Sequence, residues 1–381
     1  MTNRSPFIFA LGALALLAGV AWWGESVDHL WAVLIGGMAG VVLYNASFGF
    51  TAGWRNMVLH RRGRGLRAQM LLIGLIALVA YPMLAVGEVW GQPVRGVILP
   101  MGVASALGAV LFGAGMQLGS GCASGTLFTA GGGSTRMGVV LAFFILGSVL
   151  PTAHWEFWAS LPRTRAGISL IAELGWPGAV ALVLAGCAAI WVSSVVIERR
   201  AHGALESERG ASVWPIWAGA VGLAAVALVF LVALGRPWGI TYGFAVWGAQ
   251  AADALGWEPT AWPYWSGWRR GHVEGGVLSS TTNAANLGIL AGAMAAAAWA
   301  GRWSPVWRLS RRDVVTAVIG GLAMGYGARL AYGCNIGAYL GGLTSGSLHG
   351  LWWLVWGFAG SWLGTVLRVR IGMDARPVRA I

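Results

Sequence analysis

The chain has 381 residues, of which 57% are hydrophobic and only 10% charged, with 60 glycines and a formal net charge of +12. It is too apolar and too poor in charge for a soluble protein of this length. The positive balance does not indicate nucleic-acid binding, because in so apolar a chain it belongs to the cytoplasmic loops of a membrane protein.

The first apolar run, over 7–23, is bordered by Glu25 and Asp28 and lacks a small-residue cleavage site. It therefore reads as a retained first span and not a signal peptide. Further spans are expected over 31–48, 68–86, 98–118, 136–151 and 177–197. Most are long enough to cross roughly 30 Å of hydrocarbon as helices. A polar cytoplasmic linker at 198–212 then divides the chain into a first half, 1–197, and a second half, 213–381. Spans over 213–234, 282–300, 313–331 and 348–368 follow. Arginine clusters in Arg55–Arg67, in Arg302–Arg312 and in the tail from Arg368 place those segments, and both termini, on the cytoplasmic side. The loop 152–166 and the Trp-rich stretch 255–275 then fall outside.

Two stretches match each other across the halves. GAVLFGAGMQLGSGCASG ends at Gly125, and GGLAMGYGARLAYGCNIG ends at Gly337. When they are superposed, Gly108 falls on Gly320, Gly113 on Gly325, Gly115 on Gly327, Gly121 on Gly333 and Gly138 on Gly350. Cys122 falls on Cys334, in a chain with only three cysteines. The span before Cys122 runs inward and the span before Cys334 runs outward, so the copies are inverted about the membrane. A weaker echo pairs Ser47-Phe48-Gly49-Phe50 with Thr241-Tyr242-Gly243-Phe244. The expected fold is an all-α integral membrane protein of about nine or ten transmembrane helices. Re-entrant half-helices and two inverted-topology repeats would meet at the bilayer midplane. The glycine-rich pieces after each cysteine are too short to cross, and such backbone survives at membrane depth only inside protein or along a wet cavity.

Cys122 and Cys334 at the centre would present two soft, weakly hydrogen-bonding sulfurs, with backbone N–H groups of the half-helices aimed at an anion. That combination suits a small sulfur-bearing anion. Two thiols without His or carboxylate partners are a poor metal site, and no nucleotide-binding loop is present, so neither metal nor cofactor is expected. Gly121, Gly125, Gly333 and Gly337 shape the hairpins, and Asn335 is placed to donate to a substrate oxygen or to cap its half-helix. Arg329, matched by Gln117 in the first copy, is expected either to attract anions at the outer mouth or to snorkel. Arg136 is expected to snorkel, His349 to pack at the interface, and Asn283 and Asn286 to mark another broken segment. Cys187 reads as a core filler, and the 24 tryptophans read mostly as interfacial anchors.

These motifs resemble the YeeE/YedE family of bacterial inner-membrane sulfur-transport proteins. The resemblance lies in GSGCASG at 119–125 and GYGARLAYGCNIGAYLGGLTSGSLHG at 325–350, supported by RPWGITYGF at 236–244, NLGILAGA at 286–293 and GSWLGTVLR at 360–368. It extends from about residue 31 to 370. The resemblance implies an hourglass bundle that takes up thiosulfate, handed inward by pathway cysteines, with Cys122 and Cys334 as the central pair. It also implies a third cysteine in the first loop, where this chain reads NASFGFTAGWR and Gly49 or a neighbour stands instead. A small cytosolic TusA-like sulfur-carrier protein is the partner the resemblance implies. Two other readings of the same residues are a membrane sulfurtransferase forming a persulfide on a central cysteine and a channel for a selenium compound or another small solute.

Overall fold

The computed structural model describes residues 3–207 and 212–374. Part of the expected linker and the last arginines of the tail, Arg376 and Arg379, lie outside the described residues. The protein is an all-α integral membrane protein. In chain order its first half contains α1 (Arg4–Val20), α2 (Val27–Ala46), α3 (Phe50–His60), α4 (Arg64–Val86), α5 (Val103–Gly119), α6 (Ala123–Gly131), α7 (Thr135–Val149), α8 (Trp155–Ser160) and α9 (Leu170–His202). Its second half contains α10 (Ile216–Leu234), α11 (Thr241–Ala254), α12 (Arg270–Glu274), α13 (Thr281–Trp299), α14 (Arg311–Leu330), α15 (Gly341–Thr344) and α16 (Leu348–Arg370). A two-stranded hairpin, β1 (Glu88–Val89) and β2 (Gln92–Pro93), follows α4.

Each of the expected spans coincides with one of these helices. Among the described residues eight helices are long and apolar enough to cross a membrane. Helices α13 and α16 are of similar length. Asn283 and Asn286 in α13, and Trp352, Trp353, Trp356 and Trp362 in α16, lower their hydropathy. Helix α14 opens on a capping box in which the Ser310 hydroxyl accepts from the Asp313 amide and the Asp313 carboxylate returns to Ser310. Helix α9 is interrupted at Gly175, which takes φ 68° just before Pro177.

Small residues hold the bundle together, as they must where lipid gives no hydrophobic drive to helix association. Helices α5 and α14 cross antiparallel. A Cβ at Gly108 would lie 2.7 Å from the Gly327 carbonyl oxygen, and one at Gly115 would lie 2.8 Å from the Met324 amide and 3.0 Å from the Gly320 carbonyl. Gly36 and Gly40 of α2 lie against Ala285 and Ile289 of α13 in the same way.

One sequence match does not hold in space. Gly138 has nothing within 4 Å, whereas Gly350 packs on Gly342 and the Leu343 amide. The contacts show the register that replaces it. Gly113 meets Gly357, Gly360 and Ser361 of α16, and its counterpart Gly325 meets Phe144, Gly147 and Ser148 of α7. Gly360 therefore stands where Gly147 does, although the sequence match places Ala359 there. Cys334 is followed by a π-helical turn, Asn335–Leu340, whereas Cys122 is followed directly by α-helix. The wider turn takes up one additional residue, so everything after it is shifted by one.

Near the ends of α4 and α9, Glu198 is buried and accepts from Arg67 Nη1 at 2.7 Å and from the Gly63 amide at 3.1 Å. Removing one partner strands the other charge, so Glu198→Ala is expected to cost about 3–5 kcal/mol. Thermal unfolding of the detergent-solubilised protein measures this. A midpoint equal to wild type would show that the pair contributes nothing.

Candidate functional site

The two cysteines occupy matching local structures. Ser120 and Tyr332 are left-handed, with φ 67° and 63°, and two residues later Cys122 and Cys334 are extended N-caps of short helical segments. The reversal at Ser120 or Tyr332 ends the long helix and turns the chain back. Helix α6 has nine residues and rises only ~14 Å, too little to cross the hydrocarbon. Arg136, in the first turn of α7, donates to the carbonyls of Leu118 and Gly119 at the end of α5, so the chain from 120 to 134 leaves and returns at one level. In the second half Trp353 Nε1 donates to the Gly333 carbonyl, and Tyr332 meets the His349 ring edge-on at 6.3 Å. The chain from 331 to 347 therefore also begins and ends together.

The two hairpins meet. Helix α6, which Cys122 caps, is in contact with the 335–340 turn, which Cys334 caps. Both thiols are buried, and Cys122 Sγ is 3.4 Å from Ser124 Oγ. Asn335 is fully buried, yet neither atom of its amide has a hydrogen-bond partner; the same holds for Thr126 Oγ1 and the Tyr339 hydroxyl. Buried polar atoms are nearly always paired, so these groups stand out.

The glycines divide into two groups. A Cβ at Gly125 would meet only Cys122 Sγ, at 3.6 Å, and one at Gly337 only the Gly239 Cα, at 3.8 Å. Both would accept a methyl group at ordinary contact distance. A Cβ at Gly121 would rest in ordinary contact with the α6 backbone at 3.4 Å, whereas one at Gly333 would come 2.8 Å from the Ala338 amide, so Gly333 permits the tight turn. Gly49, where a third thiol was expected, is the N-cap of α3 and has open space around it. Behind the 335–340 turn stands an aromatic wall: Tyr339 stacks on Trp353 at 6.0 Å and meets Trp54 at 6.1 Å. Nothing local in the chain marks this wall, since 24 tryptophans read alike as interfacial anchors.

Arg329 is 6% exposed and so does not snorkel. Its Nη1 donates to the Tyr264 hydroxyl at 2.7 Å, and its Cζ lies 5.4 Å from the Tyr264 ring and 5.8 Å from the Tyr242 ring. Tyr264 comes from the Trp-rich stretch, which folds into short 3-10 turns over this end of α14. Its counterpart Gln117 donates to the Thr51 carbonyl and to Ser361 Oγ.

Three other expectations are corrected. Arg136 does not snorkel: it caps the carbonyls at the end of α5 and pairs with Asp313 at 3.7 Å. His349 is buried, with Nδ1 2.8 Å from Ser347 Oγ, because the second hairpin folds over it. Asn283 and Asn286 lie in an unbroken α13. Asn286 Nδ2 donates to the Ile240 carbonyl at the start of α11, and Asn283 Nδ2 to Val277. The segment that starts inside the bundle here is α11, and the two asparagines support its first turn.

Arg368 completes the clamp on α5, donating to the Ser120 hydroxyl and the Gln117 carbonyl and pairing with Asp374 at 2.6 Å. The Arg368 hydrogen bond holds the Asp374 carboxyl below its ordinary value. A carboxyl lowered on folding adds stability that is complete above about pH 4 and fades as pH falls through the lowered value. Asp374→Asn is therefore expected to lower the thermal midpoint most near neutral pH, with the difference from wild type shrinking as pH falls below about 4, which flattens the acid side of the profile. Thermal midpoints between pH 3 and 7 test this, and parallel profiles would contradict it.

A profile described as sulphur transport matches residues 45–363 of the chain. The chain belongs to the sulphur transport family. Two relatives called probable transporter YedE, from Escherichia coli K12 and Salmonella typhimurium LT2, are 35% and 36% identical over 130 residues. Those matches cover 34% of this chain and 32% of each relative, about a third of the relatives' length. The thiosulfate transporter TsuA of Spirochaeta thermophila is 26% identical over 358 residues, covering 87% of this chain and 96% of that relative.

Proposed function

We propose that this chain is an inner-membrane permease that takes up thiosulfate or a similar small sulfur anion through a central pathway. Cys122, Cys334 and Asn335 line it, Gly125 and Gly337 keep it open, Gly121 and Gly333 shape its turns, and Arg329 stands toward one mouth. The observation that carries this reading is the contact between the two short segments that Cys122 and Cys334 N-cap, beside a buried Asn335 whose amide has no hydrogen-bond partner in the protein. Thiols desolvate cheaply and suit a soft sulfur atom, while the Asn335 amide and the half-helix N–H groups suit anionic oxygens. The similarity to TsuA supports thiosulfate as the substrate.

The two halves are inverted repeats in this reading, and the hairpins are re-entrant from opposite faces. Support comes from the reciprocal contacts: Gly108 meets Gly327 while Gly115 meets Gly320, each glycine facing the counterpart of the other. Such self-complementary pairing is what a two-fold axis through the α5–α14 crossing produces. Arg55, Arg136, Arg312 and Arg368 gather at one end with Asp313 and Asp374, which supports a cytoplasmic location for that end and for both termini. A cytosolic TusA-like carrier is the partner in this reading.

Nothing in this pathway requires a covalent step. A persulfide at Cys334 needs a cation beside the thiol to hold the thiolate, and Arg329, the arginine just before it in the chain, makes its contacts with Tyr264 and Tyr242. The test is growth of a thiosulfate-uptake-deficient bacterium on thiosulfate as sole sulfur source. Expression of this chain is expected to restore growth. Its failure to do so when present in the membrane would move the substrate elsewhere.

A further inference from the structure

Arg329 is a buried cation with no carboxylate within ion-pair distance among the described residues, and its Nε has no partner. Among the described residues its hydrogen-bond partner is the Tyr264 hydroxyl, and the rings of Tyr264 and Tyr242 cover it. A second guanidinium, that of Arg269, lies 4.8 Å from the same Tyr264 ring, and its Nε is likewise buried and unpaired. Arginines at the opposite end of the bundle differ: Arg368 and Arg136 are matched by Asp374 and Asp313. An uncompensated guanidinium inside a membrane protein is costly, and the cost falls when an anion supplies the missing charge.

We propose that Arg329, beneath Tyr264 and Tyr242, is a binding site for the oxygen end of a tetrahedral sulfur oxyanion at the mouth remote from the arginine-rich loops. This rests on the permease reading and adds a division of labour to it. The guanidinium takes the hard oxygens through charge-assisted hydrogen bonds, and the thiols deeper in the protein take the soft sulfur. Gln117, the counterpart of Arg329, is neutral and already donates to Thr51 and Ser361. The matched position is therefore an unpaired cation in one half and a neutral amide in the other, so the anion is captured on the Arg329 side.

Sulfate is the probe that separates the two functions, since it carries the oxygens without the soft sulfur. Sulfate is expected to compete with thiosulfate for uptake into cells without being carried. Arg329→Gln is expected to abolish that competition and to raise the half-saturation concentration for thiosulfate at least about tenfold, the value of one charge-assisted hydrogen bond. Arg329→Lys should recover part of both. Tyr264→Phe frees Nη1 for the anion and should lower the half-saturation concentration, which keeps the test decisive if Arg329→Gln does not fold. Calorimetric titration of the purified protein with sulfate should show binding in wild type and in Cys334→Ala but not in Arg329→Gln. Equal half-saturation in wild type, Arg329→Gln and Tyr264→Phe, or sulfate binding that survives Arg329→Gln, would overturn the site. Absence of thiosulfate uptake by wild type would instead overturn the permease reading, while the calorimetry would still decide the site.

Discussion

Cys122→Ala and Cys334→Ala are each expected to abolish thiosulfate uptake while leaving the protein folded. Replacing one small buried group in this way costs about 1 kcal/mol, well within what a bundle this size tolerates. Both thiols sit at N-caps, where the backbone and not the side chain sets the turn: neither Cys122 nor Cys334 makes a side-chain capping hydrogen bond. The loss should therefore appear in uptake, measured with labelled thiosulfate, and not in thermal midpoint or elution from a sizing column. Cys187→Ala serves as the control, because Cys187 lies in α9 against α4, and its replacement should leave uptake at wild-type levels. Normal uptake by both central variants would remove the thiols from the mechanism.

The second large effect is on folding. At Gly360 an added Cβ would run into the backbone of Val110, and at Gly113 into the backbone of Gly357. A backbone cannot move aside as a side-chain tip can, so α5 and α16 would have to separate along their contact. Gly360→Val is expected to cost at least about 3 kcal/mol and to give little folded protein. Gly337→Ala is the contrast, since its Cβ would meet only the Gly239 Cα at 3.8 Å. It should fold with a midpoint near wild type and reduce uptake by narrowing the pathway. Comparable yields and midpoints for Gly360→Val and wild type would show that the α5–α16 contact is looser than this geometry.

The two variants illustrate how unevenly the sequence reports on glycine. Both positions lie in glycine-rich apolar text, and nothing local separates a glycine that admits a neighbouring helix from one that keeps a space open. That difference depends on which backbone stands opposite, which only the packed structure supplies. The arginines behave in the same way. Arg136 and Arg329 are each one cation near the end of an apolar run, a pattern that local reasoning assigns to snorkelling. Their partners, the carbonyls of Leu118 and Gly119 and the hydroxyl of Tyr264, come from other elements.

From the sequence alone came the membrane class, the positions of the spans and the suspicion that Cys122 and Cys334 belong together. Hydropathy and the repeat are local or periodic properties, and a bilayer requires every backbone group to be satisfied within a helix, so span positions follow almost directly from composition. Tertiary structure decided the aromatic wall behind Asn335, the covering of Arg329 and the one-residue shift after the π turn. It also decided which buried polar atoms remain unpaired. Each of these depends on contacts between residues far apart in the chain, and side-chain chemistry at one position carries no record of what faces it.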